Sequence, residues 1–494
     1  MPKQQKQPIF LIQGAIDWTR IESIVQNAVV QVFAQVGSFN WLEPYKVEEE
    51  AENRGSGFLI DRDGYIITNA HVVDEAKRIW VHIPILGRQM ILVEVVGFCP
   101  DRDLALLRIV PEKIKEIRKL LGEIPFLTFG DSDQIARTDN VMVLGYPLGQ
   151  YRLKSSTGVV SGRESSGGQA FIQFTAAISE GSSGGPLLNE IGQVVGIAIA
   201  IAPEGNNVGY AIAINELKLI LEELRTKKLV RIPMLGVQFV YSNDSKAEFL
   251  GNPKSGGLYI IKVLKNSLFE KAQVLVGDML YEFNGFAIDA YGDTTAPWGD
   301  DKASLTDIMA RIKIGQKVRF VIYRNGKKMV KNITWDLVDP YSIREMYPDY
   351  ETVEYETIAG MVILQLADNH FPLLLETAAD LICYAKPEKK IDPVLVITNV
   401  LPGSLAQQLY ALLPGDIIRD VNGMKVTTLA MLRKAISASL KTGFLSITTE
   451  RDIFAVFDIK SLLKDERELS RDFAYPLSAT VQQLIKKIDK DKNS

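Results

Sequence analysis

The six residues Gly181-Ser182-Ser183-Gly184-Gly185-Pro186 constrain this chain more than any other stretch. They lie between two apolar runs that read as strands, Ala170 to Thr175 and Val194 to Ala202. Glycines flanking a serine allow a tight turn that side chains would block. Such a turn can lift a hydroxyl into a cleft and aim neighbouring N–H groups at one point, as a serine nucleophile and its oxyanion hole require. Gly/Ser loops are also ordinary turns, so the reading depends on a histidine and a buried acid elsewhere.

The chain has only three histidines. His71 ends a hairpin: Gly55 to Ile60 forms one strand, Asp61-Arg62-Asp63-Gly64 the turn, and Tyr65 to Thr68 the return. His82 fits the polar face of a strand and His370 a loop, both with structural roles. Asp103 abuts the apolar run Leu104 to Ile109, where a carboxylate can be buried against a histidine N–H, whereas Asp101 reads as a solvated turn residue. His71, Asp103 and Ser183 thus follow one another in the chain order of chymotrypsin-like triads, each beside a strand. Short strands between Gly, Pro and Asp turns, interrupted by one charged helical insert from Pro111 to Leu121, argue for an all-β barrel or sandwich.

Length and composition bound the rest. The chain's 494 residues suggest roughly three domains, and 47% hydrophobic with 23% charged residues describes a globular protein with large cores. A net charge of −4 argues against a general nucleic-acid surface. Cys99 and Cys383 lie far apart, so neither a disulfide framework nor a metal-ligand cluster is visible, and no phosphate-cradling loop is present. Metal and cofactor are accordingly expected to be none. The longest apolar run is far short of a membrane span. The polar start and the short apolar piece Ile9 to Ile12 do not make a signal-peptide core, which predicts a cytoplasmic protein, with export by an unmarked route as the alternative. Phe39, Trp41 and Tyr45 stand in a long polar loop, Gly37 to Arg54, as a local clasp or, on the favoured reading, a contact between molecules.

Residues 55–216 resemble the Deg/HtrA serine proteases. The motifs are GSGFLIDRDGYIITNAHVV (55–73), DRDLALLRI (101–109), FGDSDQI (129–135), VLGYPLGQ (143–150), TGVVSG (157–162), AAISEGSSGGPLLNEIGQVVGIAIA (176–200) and GYAIAI (209–214). Ser182 stands where the family usually has Asn, at a position that contributes mainly backbone. Farther on, Leu235 to Phe239, Gly257 to Val263 and Val276 to Leu280 resemble a PDZ domain. A weaker internal copy runs through Val394 to Ser404, Pro414 to Ile418 and Val421-Asn422-Gly423. Its candidate loop, Ile358 to Val362, lies far upstream, across an insert from Pro372 to Pro393, which favours a structural role for this second module.

The resemblance implies a mainly β chain: a chymotrypsin-like double β-barrel followed by two α+β PDZ-like domains. The expected order is an N-terminal segment and aromatic loop (1–54), protease (55–228), first PDZ domain (229–340), divergent second PDZ-like domain (341–465), and a C-terminal helix and charged tail (466–494), disordered from Lys486. It looks most like the plant-type Deg proteases. It also implies an ATP-independent endoprotease acting on unfolded or damaged polypeptides, with the oxyanion hole at the N–H groups of Gly181 and Ser183. Ile178 and Ile199, Ala200 and Ile201 would line an apolar pocket for small aliphatic residues, with Ala177 where an acid would otherwise select basic ones. Leu235, Gly236 and Val237 would receive peptide C-termini. The chain would assemble as trimers or multiples of trimers, with Phe39, Trp41 and Tyr45 as contacts. A chaperone or PDZ scaffold with secondary proteolysis, or a narrowly specific processing protease, are the alternatives. Activity should fall below about pH 6.5, where an unperturbed histidine protonates.

Overall fold

The computed structural model describes residues 16–46, 49–200, 208–254, 256–298 and 302–492. They fall into two compact units: the described residues within Met1–Gln35, Glu52–Arg231 and Ala296–Ile312 form one, and those within Val36–Ala51, Ile232–Thr295 and Lys313–Ser494 the other.

The first unit is built on two closed barrels. One contains β1 (Val29–Ser38), β2 (Glu49–Leu59), β3 (Tyr65–Thr68), β4 (Ala76–His82), β5 (Met90–Cys99) and β6 (Leu104–Ile109), in the order β1-β2-β3-β6-β5-β4. The other contains β7 (Asn140–Gly145), β8 (Lys154–Ser166), β9 (Gln169–Phe174), β10 (Pro186–Leu188), β11 (Val194–Ile199) and β12 (Gly209–Ala213), in the order β10-β11-β12-β9-β8-β7. Among the helices that accompany them are α1 (Trp18–Val25), α2 (Ala70–Val73), α3 (Pro111–Leu121) and α4 (Ile214–Thr226). The expected barrels are therefore present, and closure leaves no sheet edge. The expected hairpin forms because the Asp61 carboxylate accepts the N–H groups of Asp63 (2.9 Å) and Tyr65 (3.2 Å) across the turn. Pro111 opens α3, where its missing N–H costs nothing. All six residues of β11 are buried, as are five of six in β6, so these near-continuous apolar runs are core. The polar loop read from Gly37 to Arg54 is shorter than expected, because β2 already begins at Glu49.

The first of the two C-terminal sheets contains β13 (Val237–Val240), β14 (Leu258–Val263), β15 (Met279–Phe283), β16 (Phe286–Ala287), β19 (Lys317–Arg324) and β20 (Lys327–Thr334), in the order β13-β14-β15-β19-β20 with β16 beside β15. Between them come α5 (Asp244–Phe249), α6 (Leu268–Lys271), β17 (Asp293–Thr294), β18 (Ala303–Ser304) and α7 (Leu305–Ala310). The segment holding β18 and α7 belongs to the first compact unit.

The second sheet contains β21 (Tyr355–Ile358), β22 (Met361–Gln365), β23 (Leu395–Val400), β24 (Ile417–Val421), β25 (Met424–Lys425), β26 (Phe444–Thr449) and β27 (Phe454–Asp458). Helices α8 (Phe371–Leu374), α9 (Leu405–Gln408), α10 (Leu429–Thr442), α11 (Ile459–Asp472) and α12 (Ala479–Lys492) complete the chain. The two modules repeat a backbone arrangement. Leu235 and Gly236 carbonyls accept Phe269 and Leu264 N–H groups, as Ala359 and Gly360 carbonyls accept those of Ala406 and Leu401. The insert does not displace the second loop: β22 still pairs with β23, and Leu374, Leu381 and Tyr384 of the insert pack on Leu366, Val396 and Ile417. What differs is the sheet edge. β13 is an edge strand, whereas β22 is covered by β21 and Arg433 of α10 holds Glu356 at 2.9 Å. Residues Lys486 to Lys492, expected as a disordered tail, continue α12, because Val481, Leu484, Ile485 and Ile488 recur at helical spacing and pack on the module's core.

Two of the loop aromatics expected between molecules are used within the chain. Trp41 is 8% exposed and meets the His370 ring edge-on at 5.3 Å. Tyr45 donates to Glu43 at 2.8 Å and packs against Tyr355 and Tyr475. Phe39 stands edge-on to Trp41. These aromatics thus form a local clasp within the second unit. His370 is buried in a short 3-10 turn, not in an exposed loop, with Nδ1 accepting from the Ala367 N–H at 2.9 Å. His82 stays on β4, its Nε2 against the Gly87 carbonyl.

Glu466 on α11 carries a pH-dependent stability term. It is fully buried, accepts from Tyr475 Oη at 2.6 Å and Gly360 N at 3.3 Å, and burial pushes its carboxyl up to about 7. Between the unfolded value near 4.5 and that folded value, the unfolded chain gives up the proton and the folded chain keeps it. Stability from this group is therefore highest below pH 4.5 and declines as pH rises toward 7. Glu466→Gln should stabilise the protein at pH 8 by at most on the order of 3 kcal/mol, seen as a higher melting temperature, with most of that gain gone at pH 5. Scanning calorimetry at both pH values checks this, and equal melting at pH 8 would show that the buried carboxylate ionises without cost.

Candidate active site

The structure pairs His71 with Asp103 and binds the Ser183 loop to Ser56 on β2. α2 follows β3 directly and carries His71, whose side chain is half exposed. Asp103 caps the 3-10 turn Pro100–Arg102 in the left-handed region (φ 50°). Its carboxylate accepts the His71 backbone N–H at 2.9 Å, and both of its oxygens lie 2.9 Å from Nδ1. A carboxylate so placed can accept an Nδ1–H and would leave Nε2 free to face a substrate. Asn69, beside His71, donates from Nδ2 to the Asp103 carbonyl at 3.0 Å and fixes the acid from the other side.

Ser183 is nearly buried. Its Oγ accepts the Ala200 N–H at 3.0 Å, and no hydrogen bond among the described residues joins it to His71. Nucleophile–base contacts in unliganded triads commonly tighten only with substrate. The serine loop is stitched to its surroundings: the Ser183 carbonyl accepts the Ser56 N–H (2.8 Å), and Gly184 N donates to the Ala198 carbonyl (2.9 Å). Ser56 Oγ in turn donates to the Gly181 carbonyl at 2.7 Å and accepts Tyr146 N at 2.9 Å. Sequence reasoning missed Ser56. Its position in GSGF is a signal only once the strand is known to face the serine loop.

The orientation of the Glu180–Gly181 peptide decides whether the loop can stabilise an oxyanion. The Glu180 carbonyl accepts the Leu148 N–H at 2.6 Å, so in a planar trans peptide the Gly181 N–H points the opposite way. Among the described residues, the Gly181 and Ser183 N–H groups make no protein hydrogen bond. Ile199 is buried at the end of β11 and Ile178 packs on the barrel core. Ile201 lies outside the described residues. Leu235 is buried and Gly236 (φ 70°) leads into the open strand β13 at Val237.

Comparison with known proteins shows the family to which the chain belongs. The family model of the trypsin-like peptidase domain matches residues 55–197, and PDZ domain models match 233–334 and 383–448. A probable periplasmic serine endoprotease DegP-like of Marinomonas sp. is 32% identical over 389 residues, 77% of this chain and 73% of that protein. The chain belongs to the DegP-like, Deg/HtrA family of serine endoproteases. A second DegP-like relative, from Chlamydia trachomatis, is 27% identical over 427 residues, covering 85% of this chain and 77% of its own. Among solved structures, the HtrA-type protease AlgW with decapeptide matches with a TM-score of 0.51 and 24% identity, covering 66% of this chain and 99% of its own. That likeness concerns the fold. The comparisons overturn the cytoplasmic expectation, because the Deg/HtrA relatives are named periplasmic proteases. That expectation rested on the polar first residues, and a free buried Cys99 with a half-buried Cys383 fits either compartment.

Proposed function

We propose that this Deg/HtrA protease is an exported, ATP-independent endoprotease that cleaves unfolded polypeptides after small aliphatic residues. Ser183 is the nucleophile, His71 the base and Asp103 its partner, with the oxyanion received by the N–H groups of Gly181 and Ser183. The observation that carries this reading is the Asp103 carboxylate, which holds both N–H groups of His71 while the Glu180 carbonyl is turned away onto Leu148. Ala200 is bonded to Ser183 Oγ, and Ile178, Ile199, Ala200 and, from the sequence, Ile201 are proposed to line the apolar pocket. Peptide C-termini are proposed to add to β13 at Leu235, Gly236 and Val237, since β13 has a free edge.

Sequencing the fragments of unfolded casein tests the pocket. Cuts after Val, Ala and Ile are expected, and dominant cuts after Lys or Arg would overturn it. Assembly into trimers or multiples of trimers is part of the proposal. Trp41 and Tyr45, already used within the chain, are not offered as its contacts. A stable monomer in sedimentation would remove it.

A further inference from the structure

The residue before the proposed triad acid carries a buried charge. Arg102 is 4% exposed, and a buried guanidinium is held only where its charge and N–H groups are answered. Glu216 in the first turn of α4, itself 3% exposed, forms the ion pair. Nη2 donates to the Ala310 carbonyl at 3.1 Å. The Arg102 carbonyl accepts Gln169 Nε2 at 2.7 Å. The turn that presents Asp103 is therefore anchored through Arg102 to α4, to β9 and to the end of α7.

Ala310 is the last residue of α7, so its carbonyl is among those that find no partner within the helix. Arg102 caps it. α7 lies inside the span matched by the first PDZ model, 233–334, yet it packs with the barrels. A second anchor holds it there: Arg311 makes a two-pronged contact with Asp133, both bonds 2.8 Å. Asp307 adds a third through Ser165.

We propose that Arg102 is a positioning residue for Asp103, and that it keeps its pose only while the last carbonyl of α7 is seated on it. Docking of the 303–312 segment then sets how well the triad is aligned. The chemical reason is geometric. Asp103 must accept the backbone N–H and Nδ1 of His71 together, and it does so from a left-handed backbone conformation (φ 50°) that its neighbours must hold. Freeing the Arg102 side chain lets the 102–103 peptide turn. The carboxylate then loses its grip on the imidazole, and the imidazolium formed during attack loses its stabilising charge.

The proposal rests on the triad reading, so Asp103→Asn is run beside the other variants. Near-wild-type activity in that variant would sink the triad and leave no acid for Arg102 to position. The test uses the full chain, a peptide substrate with an aliphatic residue before the cut, and melting curves. Arg102→Met with Glu216→Gln removes both buried charges together and so avoids stranding one. It should lower kcat/KM by about tenfold to a hundredfold, mostly in kcat, and move the acid limb of the pH–rate profile to lower pH. Arg102→Lys should recover part of the loss. Arg311→Ala lies away from the triad and loosens only the docking of α7. It should lower kcat several-fold, shift the acid limb in the same direction, and add little on top of the double variant. A folded double variant within twofold of wild type at every pH would overturn the proposal. So would an Arg311→Ala whose loss leaves the acid limb in place or multiplies fully with the other. Should the double variant fail to fold, Arg311→Ala and Arg102→Lys decide the matter by the same pH–rate shift.

Discussion

Ser183→Ala should end proteolysis, lowering kcat/KM by about 10⁴ to 10⁶, while leaving the melting temperature within a degree or two. The chemistry needs one oxygen that can attack, and the serine loop offers Ser183 Oγ beside the two N–H groups that would receive the oxyanion. Alanine leaves those donors and the His71–Asp103 pair intact, so the residual rate reflects binding and electrostatics alone. Stability should barely move, since among the described residues Oγ makes one hydrogen bond, from the Ala200 N–H. The measurement is digestion of unfolded casein without ATP, alongside labelling by a fluorophosphonate, which reports the activated serine directly. Loss of both signals in a variant that melts normally is the expected result. Casein cleavage retained by Ser183→Ala would move the nucleophile elsewhere. If the wild type labels but its biological effect survives Ser183→Ala, the scaffold reading gains over the protease one.

The candidate triad could be named from the sequence because each proposed member sits at the end of a locally coded element. The Asp61 turn and the β-branched run after it place His71, and the apolar run from Leu104 places Asp103. The glycines around Ser183 announce a turn by themselves. Residues whose roles depend on distant partners were not legible. Trp41 and Tyr45 read as exposed because their loop is polar, yet they are covered by His370, Tyr355 and Tyr475, more than 300 positions away. Arg102 draws no reading beside Asp101, which reads as a solvated turn residue, and Glu216 and Ala310 make it a buried strut. The closed edge of the second module escaped for a similar reason. β21 carries the buried Glu356, a residue that periodicity places on a surface until Arg433 arrives from α10. Local patterning therefore encodes the barrels and the ingredients of the site, while long-range polar contacts encode how firmly those ingredients are held.

Gly184→Ala should be the most damaging single-methyl change in the cleft, destabilising the protease unit by roughly 3 kcal/mol or more. Gly184 sits at φ 85°, a region costly for any residue with a Cβ. Its Cβ would stand 2.1 Å from the Ser56 carbonyl oxygen and 2.5 Å from Thr68 Oγ1. Those two groups are themselves hydrogen-bonded at 2.8 Å, so neither can retreat without breaking the junction of β2 and β3. Ser56 also carries the Ser183 carbonyl on its N–H and the Gly181 carbonyl on its Oγ. Displacing it therefore moves the nucleophile and the oxyanion peptide together. A melting temperature lower by roughly 10 °C and fluorophosphonate labelling slowed by at least about a hundredfold are expected. Gly167→Ala is the control: it too has positive φ (58°), but nothing lies within 4 Å of the added Cβ. It should pay only the backbone term, about 1 kcal/mol, and label at the wild-type rate. If the two variants melt and label alike, the close packing of Gly184 on Ser56 is not what holds the serine loop. If they separate as expected, the loop's catalytic geometry and the stability of the barrel junction depend on the same few contacts.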